Sequence, residues 1–293
     1  MFDLPFPEMA VFILVVVICF AAAVVGVLQL LRQGEKLRRS LFALVSLAIT
    51  LEAVILIFRA IAIKAVPLTG LFESMIVLTI VFGLIFLFLN IAIHKVWFAS
   101  VMVWVMLLLV LMSGIVAKPA SQAQAAASTP WAIAHAIAMI LSGASAMFAT
   151  ASAILYLFAE RKLKQKNLLH VLGKVPNIEK LERMNILGLK SCFVLMTFGL
   201  ASGIGLAATS ASLNMTAIDW LTDAKIIPIT VVWLLLGAIM VLWRTAKLKE
   251  KTIAHVTLVT FALILFAVVG TSVFCNTGHD FAASNVEASE QAK

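Results

Sequence analysis

The sequence predicts an all-α, polytopic bundle of about eight transmembrane helices with both termini outside. Three observations lead there. Of 293 residues, 63% are hydrophobic and only 12% are charged, and the mean hydropathy is +1.12, far above what a water-exposed surface tolerates. Apolar stretches of about 20 residues, the length that crosses a hydrocarbon core, recur along the chain. Helices are the favoured way to cross because each satisfies its own backbone hydrogen bonds. Finally, the positive charge is gathered into alternate connections. These features exclude a soluble enzyme, and the +8 net charge marks topology rather than nucleic-acid binding.

The first apolar run, residues 9–31, is followed by a basic cluster and preceded by none, so it reads as a retained helix rather than a secretory signal. Further runs bounded by charged or turn-forming residues place helices near 41–63, 71–93, 96–116, 131–159, 185–208, 226–243 and 252–275, within a single transmembrane domain spanning 1–293. If the first connection, with Arg32, Lys36, Arg38 and Arg39, is cytoplasmic, the same side receives Lys95, the basic segment Arg161 to Arg183, and Arg244, Lys247, Lys249 and Lys251. That accounts for sixteen of the twenty-two Lys and Arg residues, and the positive-inside rule orients the bundle accordingly. Segment 160–184 reads as an interfacial stretch against anionic lipid.

Ionisable groups at membrane depth cost about 2.5–3.5 kcal/mol each at a helix centre, so each needs a reason. Glu52 and Arg59 lie seven residues apart on one face of helix 2 and read as a structural ion pair, direct or through water. Glu73 stands at the start of helix 3, where a carboxylate complements the helix dipole. Cys19, Cys192 and Cys275 are scattered singly and read as small buried hydrophobes. Gly199 and Gly203 match GxxxG and read as helix packing. No phosphate loop, dinucleotide fingerprint, HExxH or serine elbow occurs. The histidines divide by topology. His94, His170 and His255 fall to the cytoplasmic side, whereas His135 and His279 fall outside, where two imidazoles from different helices can clamp a haem iron.

Several segments, in order and with matching spacing, resemble the CcsA/HemX-like (YpjD-like) cytochrome c assembly family of haem-handling membrane proteins over residues 55–281. Pro67 to Ser74 (PLTGLFES) is similar to that family's PLSNLYES segment, and Trp131 to His135 resembles its WxxxH helix. Leu155-Tyr156-Leu157 with Glu160 to Leu163 resembles its LYLLQER-L helix exit, and Leu181 to Asn185 resembles LDxLN. The family carries a tryptophan-rich WxWDPKE loop flanked by two outer histidines. Here Trp220 to Lys225 (WLTDAK) keeps one tryptophan, the aspartate and the lysine, but lacks the second tryptophan and the glutamate. Positions nearest to the two inner-haem histidines of synthetase members hold Ala65 and Val241 or Leu242.

The resemblance implies a bacterial inner-membrane protein that binds haem b non-covalently at its outer, periplasmic face. His135 and His279 would be the axial ligands, with Trp131, Trp220, Asp223 and Glu73 around them. Its implied partners are haem, an apocytochrome and another cytochrome c assembly membrane protein. Having no large outer domain and no CxxCH of its own, the chain is expected to be at most the haem-handling part of a haem lyase system. The alternative, from a different class, is a small-solute transporter or scaffold that keeps the fold without haem and uses Glu52 and Arg59 as a path.

Overall fold

In a computed structural model the described residues are 4–31, 35–63, 66–68, 70–92, 96–116, 129–164, 177–209, 222–246 and 248–271. They form eight helices and no strand: α1 Phe6–Leu31, α2 Glu35–Ile63, α3 Leu71–Ala92, α4 Val96–Val116, α5 Pro130–Lys164, α6 Ile178–Thr209, α7 Ile226–Ala246 and α8 Glu250–Leu265. A π-helical turn, Phe266–Gly270, continues α8. Six of the eight are long and apolar enough by composition to cross a membrane, and α3 and α4 hold shorter apolar stretches, Phe72–Phe88 and Ala99–Gly114. Even these two helices, at 22 and 21 residues, reach about 30 Å at 1.5 Å per residue, the thickness of a hydrocarbon core.

Two helices begin earlier than their apolar runs, and for the same reason. The first turns of α2 carry Lys36, Arg38 and Arg39, and α6 opens through Ile178 to Glu182 before its apolar run begins. A helix need not end where hydropathy ends, because long basic side chains lay their stems along it and keep their charges in water. Asn177 sets the start of α6: its side-chain oxygen accepts the N–H of Glu179 at 3.3 Å and its carbonyl accepts those of Lys180 and Leu181.

Long-range contacts give the helix directions. The end of α2 meets the starts of α1 and α3 through Arg59, Glu8 and Glu73. Ser100 at the start of α4 donates to the Gly26 carbonyl near the end of α1 at 2.7 Å. Tyr156 near the end of α5 donates to Glu250 at the start of α8 at 3.4 Å. Successive helices therefore alternate in direction. One end, here the basic end, holds Arg38, Arg161, Arg183, Lys249 and Lys251. The far end holds the starts of α1, α3, α5 and α7.

Two apolar cores share α5. One is built on α1 to α4, with Phe72, Phe82, Phe86, Met102 and Met106 fully buried, and the other on α5 to α8, around Cys192, Met196 and Leu236. Large apolar side chains point outward as well, including Phe88, Phe198 and Val241 at 60–70% exposure. Helices that are apolar around their whole circumference belong in lipid. Hydroxyls inside the helices follow the same solvent logic. Thr50, Thr79, Ser145, Thr150, Thr197 and Thr245 each donate to the carbonyl four residues back, because no water competes for them at that depth.

Helices α5 and α6 approach closely along their seam. A Cβ on Gly188 would stand 2.8 Å from the Ala149 Cβ and 3.0 Å from Ala149 backbone atoms, so only glycine admits this crossing. Ser142 crosses the same seam, donating to the Cys192 carbonyl at 3.1 Å. Cys19 and Cys192 are buried as small apolar side chains, while Cys275 lies outside the described residues.

A direct Glu52–Arg59 pair does not form. Arg59 instead donates from Nε to Glu73 Oε1 at 2.8 Å and from Nη1 to Glu8 Oε2 at 3.5 Å. Both carboxylate oxygens of Glu52 are buried with no hydrogen-bond partner among the described residues. Seven residues along a helix are about 10 Å of rise, which a direct pair would span only with both side chains extended, whereas Glu73 at the start of α3 lies beside Arg59.

Candidate functional site

A cavity of about 280 Å³ opens at the far end between α3, α5, α6, α7 and α8, with Leu109 of α4 in its wall. Its lining is mainly apolar, including Met75, Leu78, Met139, Ile140, Met196, Leu200, Ile229 and Val232. Among the described residues, the polar side chains in the wall are His135, Ser74, Ser142 and Lys225. An apolar hollow with a few convergent polar groups is the usual form of a cofactor or small-molecule site, commonly of roughly 300–1,000 Å³.

His135 reaches this wall from the second turn of α5. Its Nδ1 lies 2.7 Å from the Gly199 carbonyl of α6. A carbonyl only accepts, so Nδ1 carries the proton, and in the neutral ring the lone pair belongs to Nε2. Metal-ligating histidines are typically oriented in this way by a bond from their other nitrogen. The ring packs against α6 where Gly203 has no side chain: a Cβ there would stand 3.0 Å from Nδ1 and 3.1 Å from Cε1. The GxxxG pair thus packs, as read from the sequence, and it also seats the histidine. That second role was missed. The signal was available, since His135 is near the start of α5 and Gly199 and Gly203 are near the end of its antiparallel neighbour.

The other designated residues have distinct settings. Trp131, one turn before His135, is 48% exposed and lies over Gly205, outside the cavity wall. Asp223 is buried at the start of α7. Its side-chain oxygen accepts the Lys225 N–H at 2.8 Å, and its carbonyl accepts those of Ile226 and Ile227. It therefore caps α7 and sets the two wall residues Lys225 and Ile226. Glu73 is fully buried and bonded to Arg59. Its carboxylate does not line the cavity, but the next residues, Ser74 and Met75, do. His279, Trp220, His94 and His170 lie outside the described residues. His255 is exposed at the basic end, with its ring bonded to the Lys251 carbonyl. Val241 and Leu242, nearest to the family's inner-haem positions, are exposed on α7.

The π-helical turn ending α8 contributes Ala267 and Val268 to the wall. Such turns occur frequently at functional sites, and hydropathy alone does not reveal one.

Fold and cavity together define a multi-pass helical membrane protein with a ligand-sized hollow at the end away from its basic loops. The chain belongs to the cytochrome C assembly protein family, whose model matches residues 66–278, and is thus a membrane protein of cytochrome c biogenesis. The match takes in every helix that supplies the cavity and leaves α1 and α2 outside it. Comparison with curated proteins finds no match.

Proposed function

We propose that this protein binds haem b non-covalently at the far end of the bundle, at the periplasmic face of the bacterial inner membrane, an orientation that the charge asymmetry supports. His135 and His279 are the axial ligands of the iron. One observation carries the reading: the His135 ring is held by the Gly199 carbonyl with Nε2 as its lone-pair atom, in an apolar wall of a family whose members assemble cytochromes c. The donor set fits the group. An imidazole with a fixed tautomer suits haem iron, the methionine and leucine walls suit a porphyrin face, and Lys225 in the wall suits a propionate. When bound, haem supplies the redox-active iron and the porphyrin that an apocytochrome's CxxCH thiols take up.

The chain's own part is placement. Gly199 and Gly203 hold His135, Asp223 sets Lys225 through the α7 cap, and the apolar walls keep water away. With no CxxCH of its own, the protein acts as the haem-handling member of a set that includes an apocytochrome and a second assembly membrane protein.

Protein purified from haem-replete cells should show a Soret band of bis-histidine type. Both His135→Ala and His279→Ala should weaken it, with the protein still folded by circular dichroism. A coloured protein whose haem content neither substitution alters would place the site elsewhere, and a colourless one would leave the transporter or scaffold alternative. That alternative gains nothing from Arg59, whose guanidinium is held by two carboxylates.

A further inference from the structure

We infer that Glu8 and Arg59, contributed by the two helices that precede the family-matched region, are positioning residues for the cavity. They act through Glu73, which holds the α2–α3 wall in place. The inference rests on the haem reading only for the identity of the ligand.

The matched region begins at residue 66, so Glu73 lies inside it, whereas Glu8 on α1 and Arg59 on α2 lie before it. Arg59 bridges the two carboxylates at 2.8 and 3.5 Å, and all three residues are 5% exposed or less. A buried carboxylate needs a counter-charge from its surroundings, and for Glu73 that counter-charge comes from outside the matched fold. Apolar packing follows the same line. Phe12, one turn after Glu8 and on the same helix face, meets Phe72 with ring centroids 5.7 Å apart. The end of α4 closes on the same ring, since a Cβ at Gly114 would stand 2.8 Å from Phe12. The start of α3 is thereby clamped to α1 at adjacent residues, by the Phe72–Phe12 contact and by a charge bridge that runs through Arg59 of α2.

What is clamped is the cavity wall. Leu68, Gly70, Ser74 and Met75 line the cavity, and hydrogen bonds tie the segment into one piece: Ser74 N–H to the Gly70 carbonyl at 3.0 Å and Ser74 Oγ to the Leu68 carbonyl at 3.4 Å. Glu73 sits within this piece with its carboxylate turned to Arg59. Its part is to fix the wall, and the wall in turn faces His135.

The test uses the full chain in nanodiscs, with Cys19, Cys192 and Cys275 replaced by alanine and a single reporter cysteine added. One reporter is Leu68→Cys on the clamped wall, and the other is Ile229→Cys on the α7 wall. With Arg59→Met, maleimide labelling at the Leu68 reporter should accelerate about tenfold through local opening, while the Ile229 reporter keeps its rate. The milder Glu8→Gln should move the Leu68 rate in the same direction by less, and it decides the matter if Arg59→Met fails to fold. Unchanged labelling at Leu68, or an equal rise at both reporters, would overturn the inference, since general loosening moves both. Labelling needs no haem. A colourless wild type would therefore sink the haem reading while these rates still decide the clamp. If wild type is coloured, both variants should also broaden or shift its Soret band.

Discussion

At the far end of the bundle, α1 to α3 and α5 to α8 each bury polar side chains, but in different company. Glu8, Arg59 and Glu73 close on one another across three helices. His135 and Lys225 line a hollow whose wall also takes in Ser74, the residue after Glu73. In the first region the charges find partners within the protein, which makes them a fastening. In the second, His135 keeps its bond to the Gly199 carbonyl and, with Lys225, also borders a ligand-sized space. Burial alone does not separate a structural group from a functional one; the difference lies in what the group faces.

The comparison can be broken most forcefully at Arg59. Arg59→Met leaves two buried carboxylates without their shared guanidinium, and removal of one partner from a buried ion pair costs about 3–5 kcal/mol. Thermal unfolding in detergent should show that loss. A stability close to that of wild type would mean the triad fastens nothing.

Gly203→Ala attacks the open side. The new methyl would press on the His135 ring at 3.0 Å from Nδ1, and disturbing an orienting contact of this kind typically costs about 10–100-fold in metal affinity. Haem titration should show a loss in that range with a modest change in melting temperature. A melting temperature that falls as far as it does for Arg59→Met, with haem affinity intact, would make His135 another fastening.

Asp223→Ala removes the side-chain acceptor at the start of α7, for an expected cost of about 1 kcal/mol, and it loosens Lys225 in the wall. Salt should then weaken haem binding less than in wild type if Lys225 meets a propionate. An unchanged salt dependence would count against that pairing. The smallest effect is expected for Ser100→Ala, which deletes the α4–α1 hydrogen bond to Gly26 away from both regions. Interhelical bonds in membranes average about 0.6 kcal/mol, so the unfolding midpoint should barely move and haem content should stay unchanged.

Much of this protein is decided by its sequence alone. Eight apolar runs, their lengths, and the gathering of Lys and Arg on alternate connections follow from composition and order, because the bilayer imposes a length and a charge rule on any chain that crosses it. The approximate place of His135, near the start of a helix and at the end away from the basic loops, follows from the same bookkeeping of runs. The ordered motifs pointed to the cytochrome c assembly family, and the family match over residues 66–278 agrees.

Tertiary structure alone decided which polar groups meet. Helices apolar on every side carry no stripe that says which face turns inward. Glu52 looked like the partner of Arg59 because they share a helix face, but the Arg59 guanidinium is engaged by Glu73 and Glu8 instead. The antiparallel return of α3 and the start of α1, far away in sequence, supply the real partners. The link between His135 and Gly199 has the same origin. It joins residues 64 apart, and it exists because glycine lets α5 and α6 approach until a ring nitrogen reaches a backbone carbonyl. Distances of that kind depend on how side chains interlock between helices, which no pattern within a single helix encodes.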